Sequence, residues 1–281
     1  MVNRLQLLNS ETVRISLRAP GNHVSDLESI AYSEINLVEF EHADYYKSEK
    51  NLLQLAHDFP ELKPVVHFMN ENGFYAYASD THSTKFVRGS RIPTFWKPVV
   101  DGEYEVSDGG VIYKATVSEA VEKGEVPVTS MLVIFSSMSF PFNKASLMRY
   151  FEQNYSSVHK FVSDGTLVLR VADLDGVVGG FYLPSVNYPD RPSDVRDVIE
   201  SVRKLFNIDR ERVVLYGASK GGTAALHLNL RFGYPAVAVD PVVDDESYEE
   251  RYDDTHWTTG SVFLQRKADY LAQFVQDGAN E

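Results

Sequence analysis

The sequence predicts an α/β fold in which a mainly parallel sheet is flanked by helices and preceded by an N-terminal α+β or β-rich accessory region. From Met131 onward, short apolar segments alternate with longer segments that have helical spacing. The apolar segments are rich in Val, Ile and Leu without polar alternation, which is typical of strands covered on both faces. Helices between such strands imply crossover connections, and therefore a parallel sheet.

The elements of this second region follow the order βαβαβαβ. In chain order the segments are MLVIFSS at 131–137, NKASLMRYFEQNY at 143–155, TLVLRVADL at 166–174, PSDVRDVIESVRKLF at 192–206, RVVLYG at 212–217, KGGTAALHLNLRF at 220–232 and AVAVD at 236–240. Pro192 suits an early helical position and therefore supports a helix start there. A last amphipathic segment, SVFLQRKADYLAQFVQ, predicts a final helix.

The first region has a different pattern. Apolar and polar residues alternate in TVRISLRA and INLVEFEHA, which predicts strands with one buried face. EKNLLQLAHDF predicts a helix, and SDGG at 107–110 predicts a hairpin between EYEV and VIYKATV. A polar segment with turn-forming residues at 118–130 separates the two patterns. We therefore predict an accessory region over residues 1–125 and a second domain over residues 126–281.

The composition excludes several classes of function. The 281 residues are 43% hydrophobic and 24% charged, which is ordinary for a globular protein. A formal charge of -13 disfavours nonspecific binding to nucleic acid. Cysteine is absent, which excludes disulfides, a thiolate nucleophile and Cys-based metal sites. No apolar segment approaches the roughly 18 residues of a spanning helix, and the N-terminus lacks a signal-peptide pattern, so we expect a cytoplasmic protein without a membrane span.

The segment from Gly217 to Gly221, GASKG, matches the pattern G-x-S-x-G. An apolar strand leads into it and a helix rich in Ala and Leu follows it, which is the context of the nucleophile turn in an α/β-hydrolase sheet. Glycines on both sides of Ser219 allow a close approach of strand and helix and a strained serine backbone. The N–H of Lys220 would then lie at a helix N-terminus and stabilise an oxyanion. The alternative is a turn in which Ser219 only caps the helix.

A nucleophilic serine needs a base and a carboxylate that orients the base. In the α/β-hydrolase order the acid and then the histidine follow the serine. Only His227 and His256 follow Ser219. His227 lies in the middle of the predicted helix and is interpreted as a structural or surface residue. His256 lies in a polar loop and is the predicted base, the alternative being an exposed loop histidine.

Asp240 is the first candidate for the orienting acid because it ends a predicted strand. The C-terminal ends of strands form the edge at which a parallel sheet assembles its site. Several nearby carboxylates compete with it, namely Asp244, Asp245, Asp253 and Asp254. This acidic segment lacks the spacing of a calcium loop, so we infer no metal and no cofactor.

The loops after two other strands supply further candidates. The segment MLVIFSSMS places Ser136, Ser137 and Met138 after a strand. The N–H of Ser137 is the predicted second oxyanion donor, although these serines could instead only end the strand.

The loop DLDGVVGGFYLPSVNYP follows the next strand and is rich in Gly, Pro and aromatic residues, which suits a pocket wall or lid. Arg170, Asp173 and Tyr182 are the predicted substrate-binding residues. For Arg170 and Asp173 a structural salt bridge is an equal alternative.

Four segments carry a resemblance to a known family, namely FSSM, LRVADLDGVVGGFYL, VVLYGASKGGTAALH and VAVDPVVDDESY, the last followed by His256 and Trp257. With them, residues 131 to 257 resemble the XcbB/CpsF family of bacterial capsular polysaccharide biosynthesis proteins. They are more distantly similar to accessory Sec system acetylation components and the wider α/β-hydrolase superfamily. The resemblance implies an α/β-hydrolase-like catalytic domain, a serine nucleophile, and acyl-group transfer or removal on a glycan together with capsule-assembly proteins.

Two hypotheses of different classes follow. The first is a serine-dependent ester hydrolase or acyltransferase acting on a glycan or an acylated small molecule. The second is a noncatalytic accessory or glycan-binding protein of capsule assembly, which the Tyr- and Phe-rich first region favours. Phosphate binding by GASKGGT does not fit the G-x-x-x-x-G-K-[ST] spacing, and DGVVGG is not the dinucleotide pattern G-x-G-x-x-G.

Overall fold

The computed structural model of the chain describes residues 4–17, 27–28, 34–42, 46–252 and 262–278. The strands of these residues are β1 Arg4–Leu7, β2 Thr12–Ser16, β3 Leu37–Glu41, β4 Phe74–Ser79, β5 Ser83–Arg88, β6 Glu105–Val106, β7 Ile112–Thr116, β8 Ser130–Phe135, β9 Thr166–Val171, β10 Val213–Ala218 and β11 Ala236–Val239. The α-helices are α1 Leu52–Asp58, α2 Lys63–Glu71, α3 Ile92–Phe95, α4 Lys97–Val100, α5 Glu119–Glu122, α6 Arg191–Leu205, α7 Lys220–Phe232, α8 Glu246–Tyr252 and α9 Lys267–Gly278.

The first sheet has the strand order β1-β2-β3-β5-β4. Strands β2 and β3 pair in parallel, and each exposes one face while burying the other, as their alternating sequences predict. Helix α1 begins at a capping box in which Asn51 and Gln54 satisfy each other's backbone N–H groups. The α+β character predicted for the accessory region is therefore confirmed.

The second sheet has the strand order β11-β10-β8-β9-β7-β6, in which the four strands from β11 to β9 run parallel. Helices α6 and α7 share one hydrophobic cluster with the sheet, whose buried members include Val133, Leu169, Leu215, Val195, Ile199, Ala224 and Leu228. The predicted fold class, a mainly parallel α/β sheet flanked by helices, is confirmed. Within the described residues, no helix has both the length and the apolar character needed to cross a bilayer.

One predicted helix is wrong. The segment 143–155 contains only a short 3₁₀-helix, Leu147–Tyr150, instead of a long amphipathic helix. Its buried Arg149 donates to the carbonyl oxygens of Ala76 and Lys144, at 3.2 and 2.8 Å. The bond to Ala76 joins this segment to the first sheet, a contact that helical spacing in a sequence does not reveal.

The predicted hairpin at residues 107–110 is present, but it belongs to the second sheet. Val106 pairs with Ile112 in the hairpin, and β7 continues the sheet by pairing with β9. The six-stranded sheet therefore begins at Glu105, before the boundary predicted at 125/126. Alternation predicts a strand without showing which sheet the strand joins. The first sheet and the loop after β9 also share a hydrophobic cluster, in which Phe40 and Phe181 are both buried.

His227 lies in α7, packed against α9. Its ring is fully buried, with centroids 5.0 Å from Tyr270 and 5.4 Å from Phe274. Burial, with a smaller contribution from Arg231, lowers the pKa of His227 from 6.5 to about 3. The structural alternative that the sequence left open for this histidine is confirmed.

We predict that His227 makes the fold sensitive to acid. Below pH 6.5 the unfolded chain binds a proton at this ring that the folded chain does not bind until about pH 3, so stability is present above pH 6.5 and falls as the pH falls. Between pH 8 and pH 5 the loss should be about 2 kcal/mol. Urea denaturation of the wild type and of His227→Phe at both pH values measures it. The exposed His57→Gln is the control, and an equal loss in His227→Phe and the wild type would contradict the prediction.

Candidate active site

Ser219 lies between the end of β10 and the start of α7. Its backbone has φ 52° and ψ −120°, a left-handed conformation that is uncommon for any residue other than glycine. Its N–H donates to the carbonyl oxygen of Val239 at 2.9 Å, which fixes the turn against β11. The side chain makes no capping hydrogen bond to α7 and is partly exposed. The observed turn is therefore not the simple serine cap of the alternative interpretation.

Three glycines make this turn possible. A Cβ on Gly217 would collide with the backbone carbonyl of Gly221 on the helix. A Cβ on Gly221 would lie 2.6 Å from the carbonyl oxygen of Phe135, and one on Gly222 would lie 2.8 Å from that of Val239. These distances are shorter than real side chains tolerate. The strand, the helix and their neighbouring strands therefore approach as closely as the backbone allows.

Lys220 is the first residue of α7. The N–H groups of a first helical turn have no partner within the helix, so the Lys220 N–H is suited to the predicted oxyanion role. Its side chain is completely buried, and Nζ lies 3.0 Å from Oδ2 of Asp173. The sequence interpretation used only the backbone of this residue. An ion pair between distant residues leaves no pattern in a sequence, so no signal could have revealed it.

Asp173 is held by the loop that follows β9. Its carboxylate accepts the N–H groups of Phe181, at 2.9 Å, and Tyr182, at 3.1 Å. Both of these residues have left-handed backbones, with φ 55° and 58°. Gly179 lies directly over the ion pair, and a Cβ there would overlap both Asp173 and Lys220. The loop therefore folds around the carboxylate that the nucleophile turn contacts.

The three predicted substrate-binding residues are all buried. Arg170 donates to the carbonyl oxygen of Tyr155 at 3.0 Å and is not paired with Asp173. The Tyr182 hydroxyl accepts the N–H of Ser136 and donates to the carbonyl oxygen of Val171, both at 2.7 Å. In this structure these groups join parts of the protein to each other, and their binding of substrate stays a prediction.

Ser137 lies after β8, as predicted, but its N–H is already engaged. It donates to Oδ1 of Asn154 at 2.9 Å, while Nδ2 of Asn154 donates to the Ser137 hydroxyl at 2.8 Å. The oxyanion role of Ser137 therefore requires Asn154 to release this N–H. No pattern in the sequence pointed to Asn154, which belongs to the segment wrongly predicted as a helix.

Strand order brings three of the predicted residues to one edge of the sheet. Strands β8 and β11 are the two neighbours of β10, and all three run in the same direction. Their C-terminal ends place Ser137, Ser219 and Asp240 along the same edge. Asp240 is exposed and has a left-handed backbone, φ 45°.

Of the other predicted residues, two are described by the structure and three are not. Asp244 is exposed and accepts the N–H of Glu246 at 2.6 Å, whereas Asp245 is buried and pairs with Lys267 at 2.8 Å. His256, the predicted base, and the competing acids Asp253 and Asp254 lie outside the described residues. Among the residues that the structure describes, no three His, Asp or Glu side chains form a group that could hold a metal ion.

Comparison with known proteins gives structural similarities only. No family model matches the chain, and no curated protein matches it, so the XcbB/CpsF resemblance stays a prediction. The capsule O-acetyltransferase of Neisseria meningitidis serogroup A has a similar structure, with a TM-score of 0.38, 21% identity and coverage of 54% of this chain and 56% of that one.

Two further structures are similar. For the Glycosylation Associate Protein complex from Streptococcus agalactiae the TM-score is 0.44, with 14% identity and coverage of 71% of this chain and 37% of that one. For a fluorophosphonate-binding serine hydrolase of Staphylococcus aureus the TM-score is 0.36, with 16% identity and coverage of 52% of this chain and 58% of that one. This chain thus spans less than two thirds of the length of each of these three proteins. The TM-scores lie below 0.5, so the similarities identify no substrate or partner for this chain.

We predict that the nucleophile turn does not tolerate a side chain at Gly217. Gly217→Ala should cost about 3 kcal/mol of unfolding free energy, because the new methyl group overlaps backbone that cannot move freely. The control Gly124→Ala, with φ +74° and no atom within 4 Å of its Cβ, should cost only about 1 kcal/mol of backbone strain. Urea denaturation compares the two variants. Equal losses would show that the approach of strand and helix is not tight.

Proposed function

We propose that this chain is a serine-dependent ester hydrolase or acyltransferase that acts on a glycan. The observation that carries the proposal is the geometry of Ser219, which follows the parallel strand β10, has a left-handed backbone, is partly exposed and directly precedes the N-terminus of α7. A strained serine at this position is typical of a nucleophile turn.

In the proposed reaction, Oγ of Ser219 attacks the carbonyl carbon of an ester while its proton passes to Nε2 of His256. The carbonyl oxygen becomes an oxyanion near the Lys220 N–H. When the tetrahedral intermediate collapses, the ester C–O bond breaks and the leaving oxygen takes the proton from His256. Water or a sugar hydroxyl then attacks the acyl-enzyme by the same steps, which releases an acid or a new ester and restores Ser219.

The remaining roles are assigned to residues at the same edge of the sheet. Asp240 orients His256, and the N–H of Ser137 serves as the second oxyanion donor once Asn154 has released it. The described chain continues from β11 into α8 and resumes at the buried Val262, beside Gly176 just after β9. One flanking position follows β11 and the other contacts the loop after β9, both at the C-terminal edge of the sheet, which supports a role for the intervening His256. Asp245 is already paired with the buried Lys267, so the orienting role is assigned to Asp240.

A glycan substrate is proposed from the resemblance to capsular polysaccharide proteins, and one cavity supports it. The cavity has a volume of about 340 Å³ and lies between the first sheet and the loop after β9, which contributes Leu174. Amide, guanidinium and aromatic side chains line it, including Asn72, Arg88, Asn187 and Tyr188. Such groups bind sugar hydroxyls and sugar faces, so we place the glycan along the edge between this cavity and Ser219.

A second function, noncatalytic glycan binding in capsule assembly, is favoured by one observation. The N–H of Ser137 is occupied by Asn154, so one of the two proposed oxyanion donors is not available in this structure. Under this function the cavity would bind the glycan and Ser219 would not react. Glycan binding and capsule production that are both unchanged in Ser219→Ala would favour it.

We predict that a fluorophosphonate probe labels Ser219. The serine oxygen attacks phosphorus and displaces fluoride, so labelling reports nucleophilicity without requiring the natural substrate. Mass spectrometry should find the added group on Ser219 in the wild type and in the exposed control Ser201→Ala, and no added group in Ser219→Ala. Labelling that survives Ser219→Ala, or a wild type that is not labelled under conditions that label another serine hydrolase, would falsify the mechanism.

The same assay examines the base. His256→Ala should slow labelling by at least about 100-fold, because the serine then lacks its proton acceptor. His82→Ala, which removes an exposed histidine, should leave the rate unchanged. Equal rates in the two histidine variants would remove His256 from the mechanism.

A further inference from the structure

The side chain of Lys220 is held in an unfavourable place. It is fully buried, as is its partner Asp173, and removing two charges from water costs more than many such pairs return. A positive charge in the first turn of a helix also opposes the helix dipole. A helix that needed only stability would be better served by an apolar residue here. The pair is therefore expected to have a role besides stability.

Asp173 belongs to a hydrogen-bonded network, which Lys220 joins through the ion pair, and the two together reach both proposed oxyanion donors. On one side, Lys220 carries the first donor on its own backbone. On the other side, Asp173 accepts the N–H of Tyr182, and the Tyr182 hydroxyl accepts the N–H of Ser136 at 2.7 Å. Ser136 directly precedes Ser137, the second proposed donor. Asp173 thus connects the end of β8 with the turn after β10.

The loop after β9 covers this network and shields it from solvent. Gly179 has φ +112°, and its position over Asp173 and Lys220 excludes any side chain. Phe181 and Tyr182 adopt left-handed backbones, which direct their N–H groups to the carboxylate. Backbone strain at successive residues persists only where surrounding contacts enforce it. Here the contact that enforces it is Asp173.

We propose that Asp173 and Lys220 are positioning residues that hold Ser219 and the two oxyanion donors in register for the acyl-transfer reaction. This inference rests on the proposed function and assigns the pair no contact with substrate. The ion pair fixes the Lys220 side chain, and with it the peptide that joins Ser219 to Lys220. Loss of the pair would let this peptide rotate, which misdirects the hydroxyl and the adjacent N–H together.

The chain contains a matched control pair. Lys267 and Asp245 are also fully buried and lie 2.8 Å apart, and the ammonium of Lys267 lies over the rings of Phe181 and Phe263. Burial lowers the pKa of Lys267. This pair has the same chemistry, but neither of its residues adjoins Ser219 in the chain.

The experiment compares Lys220→Met with Lys267→Met in the fluorophosphonate assay, over a range of probe concentrations. Lys220→Met should lower the maximal labelling rate by about 100-fold, with little change in the half-saturating concentration, because misplacement affects attack more than binding. Lys267→Met should change neither the maximal rate nor the half-saturating concentration more than about 3-fold, even if the melting temperature falls by the same amount in both variants. Equal rate losses in the two variants would overturn the proposal, since the pair would then act only through stability.

The double variant Lys220→Met/Asp173→Asn leaves no unpaired charge at this buried pair. It replaces Lys220→Met if that single variant fails to fold. It should label as slowly as Lys220→Met, because the two residues act as a unit. A double variant that labels at the wild-type rate would contradict the positioning role.

Hydrogen exchange separates this inference from the proposed function. In Lys220→Met or the double variant, amides of residues 217–223 should exchange faster than in Lys267→Met, whose ammonium contacts Phe181 in the loop after β9 and not the turn at Ser219. If the wild type is not labelled but this local exchange is seen, the proposed function fails and the pair still organises the turn. If the wild type is labelled and exchange increases equally in both pair variants, the positioning role fails and the proposed function stands.

Discussion

The close approach of β10 to α7 is the constraint on which the candidate site depends. Gly217 and Gly221 allow the two elements to meet at a distance that excludes any Cβ. Ser219 therefore takes a left-handed backbone between them, and its side chain is left partly exposed. The backbone of this turn is strained, and contacts with the strands on either side must maintain its conformation.

Sheet topology supplies those contacts and the rest of the site. Since β8 and β11 flank β10 in parallel, the segments that follow all three strands meet at one edge. The N–H of Ser219 is bonded to β11, and Gly221 packs against the last residue of β8. The loop after β9 reaches the same turn through Asp173. The positions of the proposed nucleophile, the proposed donors and the proposed acid thus depend on strand order and not on any single segment.

Local chemistry explains what the sequence could predict. The parallel strands were predictable from continuous apolar segments, and the nucleophile turn from glycine spacing between a strand and a helix, because both depend on neighbouring residues. The position of α7 agrees with its predicted range. The capping box of α1 and the pairing of the 107–110 hairpin likewise follow from short-range patterns.

Contacts between distant segments explain what the sequence could not predict. The side chain of Arg149 joins the segment 143–155 to Ala76 of the first sheet, and β7 of the 107–110 hairpin pairs with β9. In both cases the partner lies far away in the chain. A salt bridge between Arg170 and Asp173 was an equal alternative to substrate binding, but Asp173 is ion-paired with Lys220. The hydrogen bonds between Ser137 and Asn154 are also a contact between different segments. The G-x-S-x-G motif around Ser219 does not suggest them.

A crystal structure of the protein after reaction with a fluorophosphonate would examine the central claim most directly. The account predicts continuous density from Oγ of Ser219 to phosphorus, with a phosphonyl oxygen about 3 Å from the backbone nitrogen of Lys220. It also predicts that Asn154 has moved away from the Ser137 N–H. Density on a different residue, or a phosphonyl oxygen directed into solvent with the Lys220 N–H turned elsewhere, would contradict it.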